Sequence, residues 1–119
     1  MSGNIWTVPA TVVRVVDGDT LMLRLSLGWH IYLDARCRLI GCNAPEMGTE
    51  EGQAAKTFVT GLLERCGGAL DGSGAEVTLI SHSLDKYGRP LGQVIAVTPQ
   101  GETLDLGYEM VVADHAVPM

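Results

Sequence analysis

From Ala10 to Val16 the chain is rich in valine, and beyond Asp17-Gly18-Asp19 the leucines Leu21, Leu23, Leu25 and Leu27 alternate with Met22, Arg24 and Ser26. A period of two with one apolar side marks half-buried strands, so two strands joined by a tight turn are predicted. After Gly28-Trp29 the alternation resumes, with Ile31, Leu33, Ala35, Cys37 and Leu39 on one face and Tyr32, Asp34, Arg36 and Arg38 on the other. This third strand directs Arg38 away from the core. Residues 41–48 break the pattern. Ala55, Phe58, Val59, Leu62 and Leu63 then fall at i, i+3, i+4, i+7 and i+8, an apolar helical stripe that Thr49, Glu50 and Glu51 suit as a start and Gly67-Gly68 as a stop. A Gly-rich loop over 70–75 leads to a fourth strand, Glu76 to Ser81. A fifth, Leu91 to Val97, follows the Tyr87-Gly88-Arg89-Pro90 turn, and Leu104, Tyr108, Val111 and Val112 give a short closing helix. Leu23, Leu25, Leu33, Leu39, Phe58, Leu62 and Val94 are the expected core.

The expected class is mainly β with α (α+β): a five-stranded OB-fold barrel with a helix between strands 3 and 4 and a C-terminal helix. A chain of 119 residues fits one domain over residues 1–119, with no internal repeat or low-complexity tract. Such a fold supports binding of an oligomeric ligand and does not by itself decide whether there is catalysis.

Composition narrows the classes. Hydrophobic residues at 46% and a mean hydropathy of +0.19 exclude a disordered chain, and no apolar stretch approaches bilayer length, so no membrane partner is expected. Met1 to Ala10 shows no cationic segment followed by an apolar run; a cytoplasmic location is favoured, or a secreted one if a signal has been removed. Cys37, Cys42 and Cys66 cannot all pair within one chain and read as small buried residues in a reducing compartment. No two cysteines have zinc-knuckle spacing and His30, His82 and His115 are scattered, so any metal would be held by oxygen. A net charge of -6 argues against steering a long polyanion, although a divalent cation with a few arginines and lysines can hold one phosphodiester. Binding to nucleic acid would then be weak and salt-sensitive, by a protein acting as a monomer.

Three segments carry candidate chemistry. Asp17-Gly18-Asp19-Thr20 brings two carboxylates to one small site, with Gly18 expected to allow a positive-φ turn; the same residues are an ordinary hairpin signal. Asn43-Ala44-Pro45-Glu46 offers an amide oxygen, a carbonyl and a carboxylate within four residues, the mixed oxygen set that calcium takes. Asp85-Lys86-Tyr87-Gly88-Arg89 holds two cations, an aromatic and a glycine turn. Each alone is a common loop; together they are jointly specific.

Val16-Asp17-Gly18-Asp19-Thr20, Cys37-Arg38-Leu39-Ile40-Gly41 leading to Ala44-Pro45-Glu46, the helix opening from Gly52 to Phe58, Asp85 to Arg89 and the ending His115-Ala116-Val117-Pro118 together resemble the staphylococcal-nuclease (thermonuclease) family, in order and over nearly the whole chain. The resemblance implies calcium-dependent hydrolysis of DNA and RNA, with single-stranded or frayed nucleic acid as substrate. It implies Asp19, Asn43, the Ala44 carbonyl and Glu46 as metal ligands, and Glu46 also acting on the attacking water. Arg38 and Arg89 would grip the phosphate as guanidinium forks. Lys86 and Tyr87 would contact the terminal phosphate of the nucleotide, and Asp17 and Thr20 would support the site. The chain departs from the family in carrying Asn43 where a carboxylate is usual and in a shorter loop between Glu46 and Gly52, and the sequence stops at Met119, before the positions of the family's base-stacking tyrosines. Two other readings stay open: a catalytically silent barrel that binds nucleic acid or a protein segment, and a hydrolase of smaller phosphodiesters.

Overall fold

A computed structural model describes residues 6–84 and 88–118, and in it the alternating segments become antiparallel strands. β1 (Trp6–Asp17), β2 (Thr20–Ser26) and β3 (Tyr32–Leu39) form a meander. β4 (Cys42–Asn43) and helix α1 (Glu50–Arg65) lead to the hairpin of β5 (Glu76–Leu84) and β6 (Pro90–Val97); β7 (Thr103–Asp105), α2 (Leu106–Val112) and β8 (Val117–Pro118) follow. The sheet order β3-β2-β1-β5-β6 closes on itself where Arg38 and Leu39 of β3 pair in parallel with Leu91 and Gly92 of β6. The result is a closed five-stranded barrel with two helices, an α+β, OB-like architecture. β7 adds one strand beside β6, and β4 and β8 form a separate two-stranded ladder.

Alternation builds the interior. Pairing of Val12 with Leu23 and of Val15 with Leu21 puts these apolar residues on the inner side, and register shifts after Val12 and after Val15 bend β1 around the barrel. Leu39, Leu79 and Val94 fill the same core, and α1 adds Ala55, Val59, Leu62 and Leu63. The N-cap hydroxyl of Thr49 accepts the Gly52 N–H at 3.0 Å, with Glu50 and Glu51 in the positive first turn, as the sequence predicts. Cys37 and Cys42 are buried and Cys66 is half-buried, all as free thiols. No helix among the described residues is long and apolar enough to cross a membrane.

Three packing expectations are corrected. Leu33 lies on the inward-facing side of β3 yet is 52% exposed, because among the described residues β6 covers that strand's edge only at Arg38 and Leu39. Phe58 is half-buried; its ring stacks on His115 with centroids 4.6 Å apart. The closing helix begins at Leu106, capped by Asp105, and turns Leu106 and Met110 inward, while Tyr108 and Val112 face out and Leu104 belongs to β7. The cap at Asp105, two residues later than a helix beginning at Leu104 would need, sets which i, i+4 pair meets the barrel.

Candidate active site

The β1–β2 turn fixes the first site residue. Gly18 is not in the left-handed region, contrary to the sequence expectation. Its need is space: a Cβ there would stand 2.9 Å from the Ala55 Cβ and the Met110 Cε and 3.1 Å from the Ala44 Cβ. The turn is therefore seated against α1, α2 and the loop after β4. Its next residue, Asp19, accepts the Leu39 N–H on its backbone carbonyl at 2.8 Å, which ties the turn to the end of β3.

Five predicted site residues meet there by direct bonds. Asp19 is 8% exposed. Its Oδ2 accepts the Ala44 N–H at 2.9 Å and lies 2.8 Å from Nη1 of Arg38, and its Oδ1 accepts the Thr20 hydroxyl at 3.1 Å. Arg38, opposite Thr20 in the β2–β3 ladder, also donates from Nη2 to Oδ1 of Asn43 at 3.0 Å and from Nη1 to the Cys42 carbonyl at 3.3 Å. The sequence places Arg38 on the outer face, and so it stands. It is nonetheless largely covered, with a side chain only 14% exposed. A carboxylate removed from water at this depth needs a partner, and the guanidinium supplies both charge and geometry.

Of the other predicted residues, Asp17, Glu46 and Arg89 are among the described ones. Asp17, half-buried, pairs with Thr20 at the mouth of the turn. Glu46 is exposed, and its side chain makes no hydrogen bond to Asp19, Asn43 or Ala44. Its carbonyl is fixed instead, accepting both the N–H and the hydroxyl of Thr49, at 3.1 Å and 2.7 Å. Arg89 is half-buried two residues ahead of Leu91, which lies opposite Arg38. Lys86 and Tyr87, with Asp85, lie outside the described residues.

Residues near the C-terminus hold Asn43, which element patterning missed. Asn43 pairs with Val117 and Cys42 with Pro118, and a cavity of about 90 Å³ lies between Asn43, Pro45, Asp114, His115, Ala116 and Val117. Two-residue strands carry no periodicity; the available signal was the His115-Ala116-Val117-Pro118 ending that takes part in the family resemblance.

The polar donors at this point are oxygens, which suits a hard cation in kind. The neighbouring Cys42 thiol is buried, and burial, reinforced by the Asp19 charge, pushes it up to about 11, so it stays a neutral thiol near pH 7. In charge the set is lean. Among the described residues no three acidic, histidine or cysteine side chains converge as a metal cluster, and Arg38 already balances the one central carboxylate.

No model of a protein family matches the chain. Over 85 residues it is 34% identical to a protein of Escherichia coli O157:H7 named an uncharacterized endonuclease. That match covers 71% of this chain and 46% of the relative, so the chain matches about half the length of that protein.

Proposed function

We propose that this chain is a calcium-dependent nuclease of the staphylococcal-nuclease type, hydrolysing phosphodiester bonds of DNA and/or RNA with little sequence preference. The observation that carries the proposal is the convergence of Asp19, Arg38, Asn43 and Ala44 where the barrel closes. The endonuclease name of the relative supports it at the coarser level of a nuclease.

Asp19, Asn43, the Ala44 carbonyl and Glu46 are the residues that would hold calcium, with Arg38 giving up its contacts to Asp19 and Asn43. When bound, calcium supplies Lewis-acid polarisation of the phosphoryl group and offsets part of its charge. Arg38, released toward the substrate, and Arg89 pair with phosphate oxygens and stabilise the charge that grows as phosphorus becomes five-coordinate. Glu46, exposed on its anchored loop, takes the proton of the attacking water; the P–O bond breaks and the leaving oxygen gains a proton from solvent. Thr20 orients the Asp19 carboxylate through its hydroxyl, beside Asp17. Lys86 and Tyr87 contact the terminal phosphate of the bound nucleotide.

One observation favours a second reading, a silent barrel that binds nucleic acid or a protein segment: Asp19, Arg38 and Asn43 already form a charge-balanced set without a metal. Incubating denatured DNA with the protein in calcium, in magnesium and in EDTA separates the two. Fragments in calcium and none in EDTA are expected; undiminished cleavage in EDTA removes the metal role, and intact DNA in all three favours the silent barrel.

A further inference from the structure

The outward-facing side chains of β1, β2 and β3 fall into rows fixed by strand pairing. Asp17, Thr20 and Arg38 form the row at the site. Arg14, Met22 and Arg36 form the next, then Thr11, Arg24 and Asp34, and beyond them Ser26 faces Tyr32. Successive rows are about 6.6 Å apart, so the face runs roughly 20 Å from Arg38 to Tyr32.

Its charge differs from that of the rest of the protein. Half of the chain's eight lysines and arginines, Arg14, Arg24, Arg36 and Arg38, are on these rows, with two of its fourteen acids, Asp17 and Asp34. Arg24 is spent on Asp34 through two bonds of 2.8 and 3.0 Å, and Arg38 is held by Asp19. Arg14 and Arg36 are exposed, and among the described residues neither is in an ion pair. They flank Met22, a half-buried apolar floor. At the far end Thr11, Arg24, Ser26, Tyr32 and Glu76 line a cavity of about 390 Å³, a volume in the range of ligand pockets, with Tyr32 58% exposed.

We propose that this face is a track for single-stranded nucleic acid: a strand held at Arg38 by the phosphate to be cut continues across Met22, Arg36 and Arg14 take its next phosphates, and a base stacks on Tyr32. The occupant follows from charge complementarity, two neighbouring exposed arginines that are in no ion pair among the described residues of an acidic protein, and from continuity with Arg38, the residue proposed to grip the phosphate. It rests on the nuclease reading and adds to it a substrate of several nucleotides, on the order of four to six, the low end of what one OB barrel covers. A duplex is a poorer fit, because stacking on Tyr32 needs an unpaired base.

The test is equilibrium binding of a fluorescent phosphorothioate DNA decamer, resistant to cleavage, measured across salt concentrations for the wild type, Arg14→Gln/Arg36→Gln and Tyr32→Ser, each first shown to keep the wild-type thermal midpoint. Each phosphate contact to a single strand contributes about 0.7 to the slope of log affinity on log salt. The double variant should lose about 1.4 of that slope and roughly 25-fold in affinity at about 0.1 M salt. Tyr32→Ser should weaken binding at least about fivefold with the slope unchanged. An unaltered slope in the double variant overturns the track, as does competition by poly-glutamate as effective as by unlabelled decamer, which would make the face a site for acidic protein. Wild-type hydrolysis of bis(p-nitrophenyl) phosphate, run in parallel, keeps the nuclease reading separate: it can hold while the track fails, and its absence rejects the nuclease while the slope still decides the track.

Discussion

Gly52 sits in the first turn of α1, directly against the loop that carries Glu46. A Cβ on Gly52 would stand 1.9 Å from the Glu46 carbonyl oxygen, 2.5 Å from its carbon and 3.0 Å from the Met47 Cα. All three are backbone atoms, so no side chain can rotate aside. The loop is also anchored to the helix start by Thr49 and by the Gln53 amide, which donates to the Met47 carbonyl at 3.2 Å. Gly52→Ala must therefore push the Glu46 loop away from α1. Overpacking of this kind costs about 1 to 3 kcal/mol, against which the better helix propensity of alanine returns about 1 kcal/mol. Gly61, in the same helix, has nothing within 4 Å of its added Cβ, so Gly61→Ala should gain up to about 1 kcal/mol from propensity alone. The two alanine variants, identical in chemistry, should differ by about 1 to 3 kcal/mol, roughly 4 to 12 °C in thermal midpoint by circular dichroism. Equal midpoints would refute the close approach of loop and helix on which the placement of Glu46 depends.

Asn43→Asp restores a charge beside Asp19 and should tighten calcium binding about tenfold by calorimetric titration, the gain being limited because Arg38 would pair with the new carboxylate; unchanged or weaker binding removes Asn43 from the ligand set. Phe58→Ala should cost about 1 to 3 kcal/mol by urea unfolding, less than a fully buried phenylalanine, because the ring is half-buried on His115; a loss above about 4 kcal/mol means that the helix face is more enclosed than described. Burial raises the Cys37 and Cys42 thiols to about 11. Ionisation is thus easier in the unfolded chain, so this contribution is complete below pH 9 and is lost as pH rises from there through about 11, at most about 2 to 3 kcal/mol per thiol. A urea midpoint that stays level from pH 8 to pH 11 would contradict that burial.

The barrel was legible because its strands alternate over six or more residues and because Thr49 and the two glutamates after it form a start signal that tertiary packing did not override. What periodicity could not show was how far each strand is covered. Leu33 obeys the alternation and is exposed, since coverage depends on where β6 leaves β3, a long-range fact absent from a local pattern. The candidate site was readable as residue types, through Asp19, Arg38, Asn43 and Ala44, because loops that break a strong pattern stand out. Their relation was not readable. That Arg38 would be engaged with Asp19 and Asn43 follows from the register that places it opposite Thr20, and the service of β8 to Asn43 follows from a two-residue pairing between positions far apart in the chain. Gly18 shows the same limit: the residue type was recognised as special, but close packing against Ala55, Met110 and Ala44 requires it.

The most direct measurement is the rate at which denatured DNA is fragmented by the wild type and by Arg38→Gln, each in calcium and in EDTA, with both proteins matched for folded fraction by near-ultraviolet circular dichroism. Fragments from the wild type in calcium, none in EDTA, and a rate roughly 10² to 10³ lower for Arg38→Gln are expected, the loss that follows removal of one preorganised donor to the developing charge. Equal rates for the two proteins in calcium, or wild-type cleavage that persists in EDTA, would contradict a metal-assisted nuclease centred on Asp19 and Arg38.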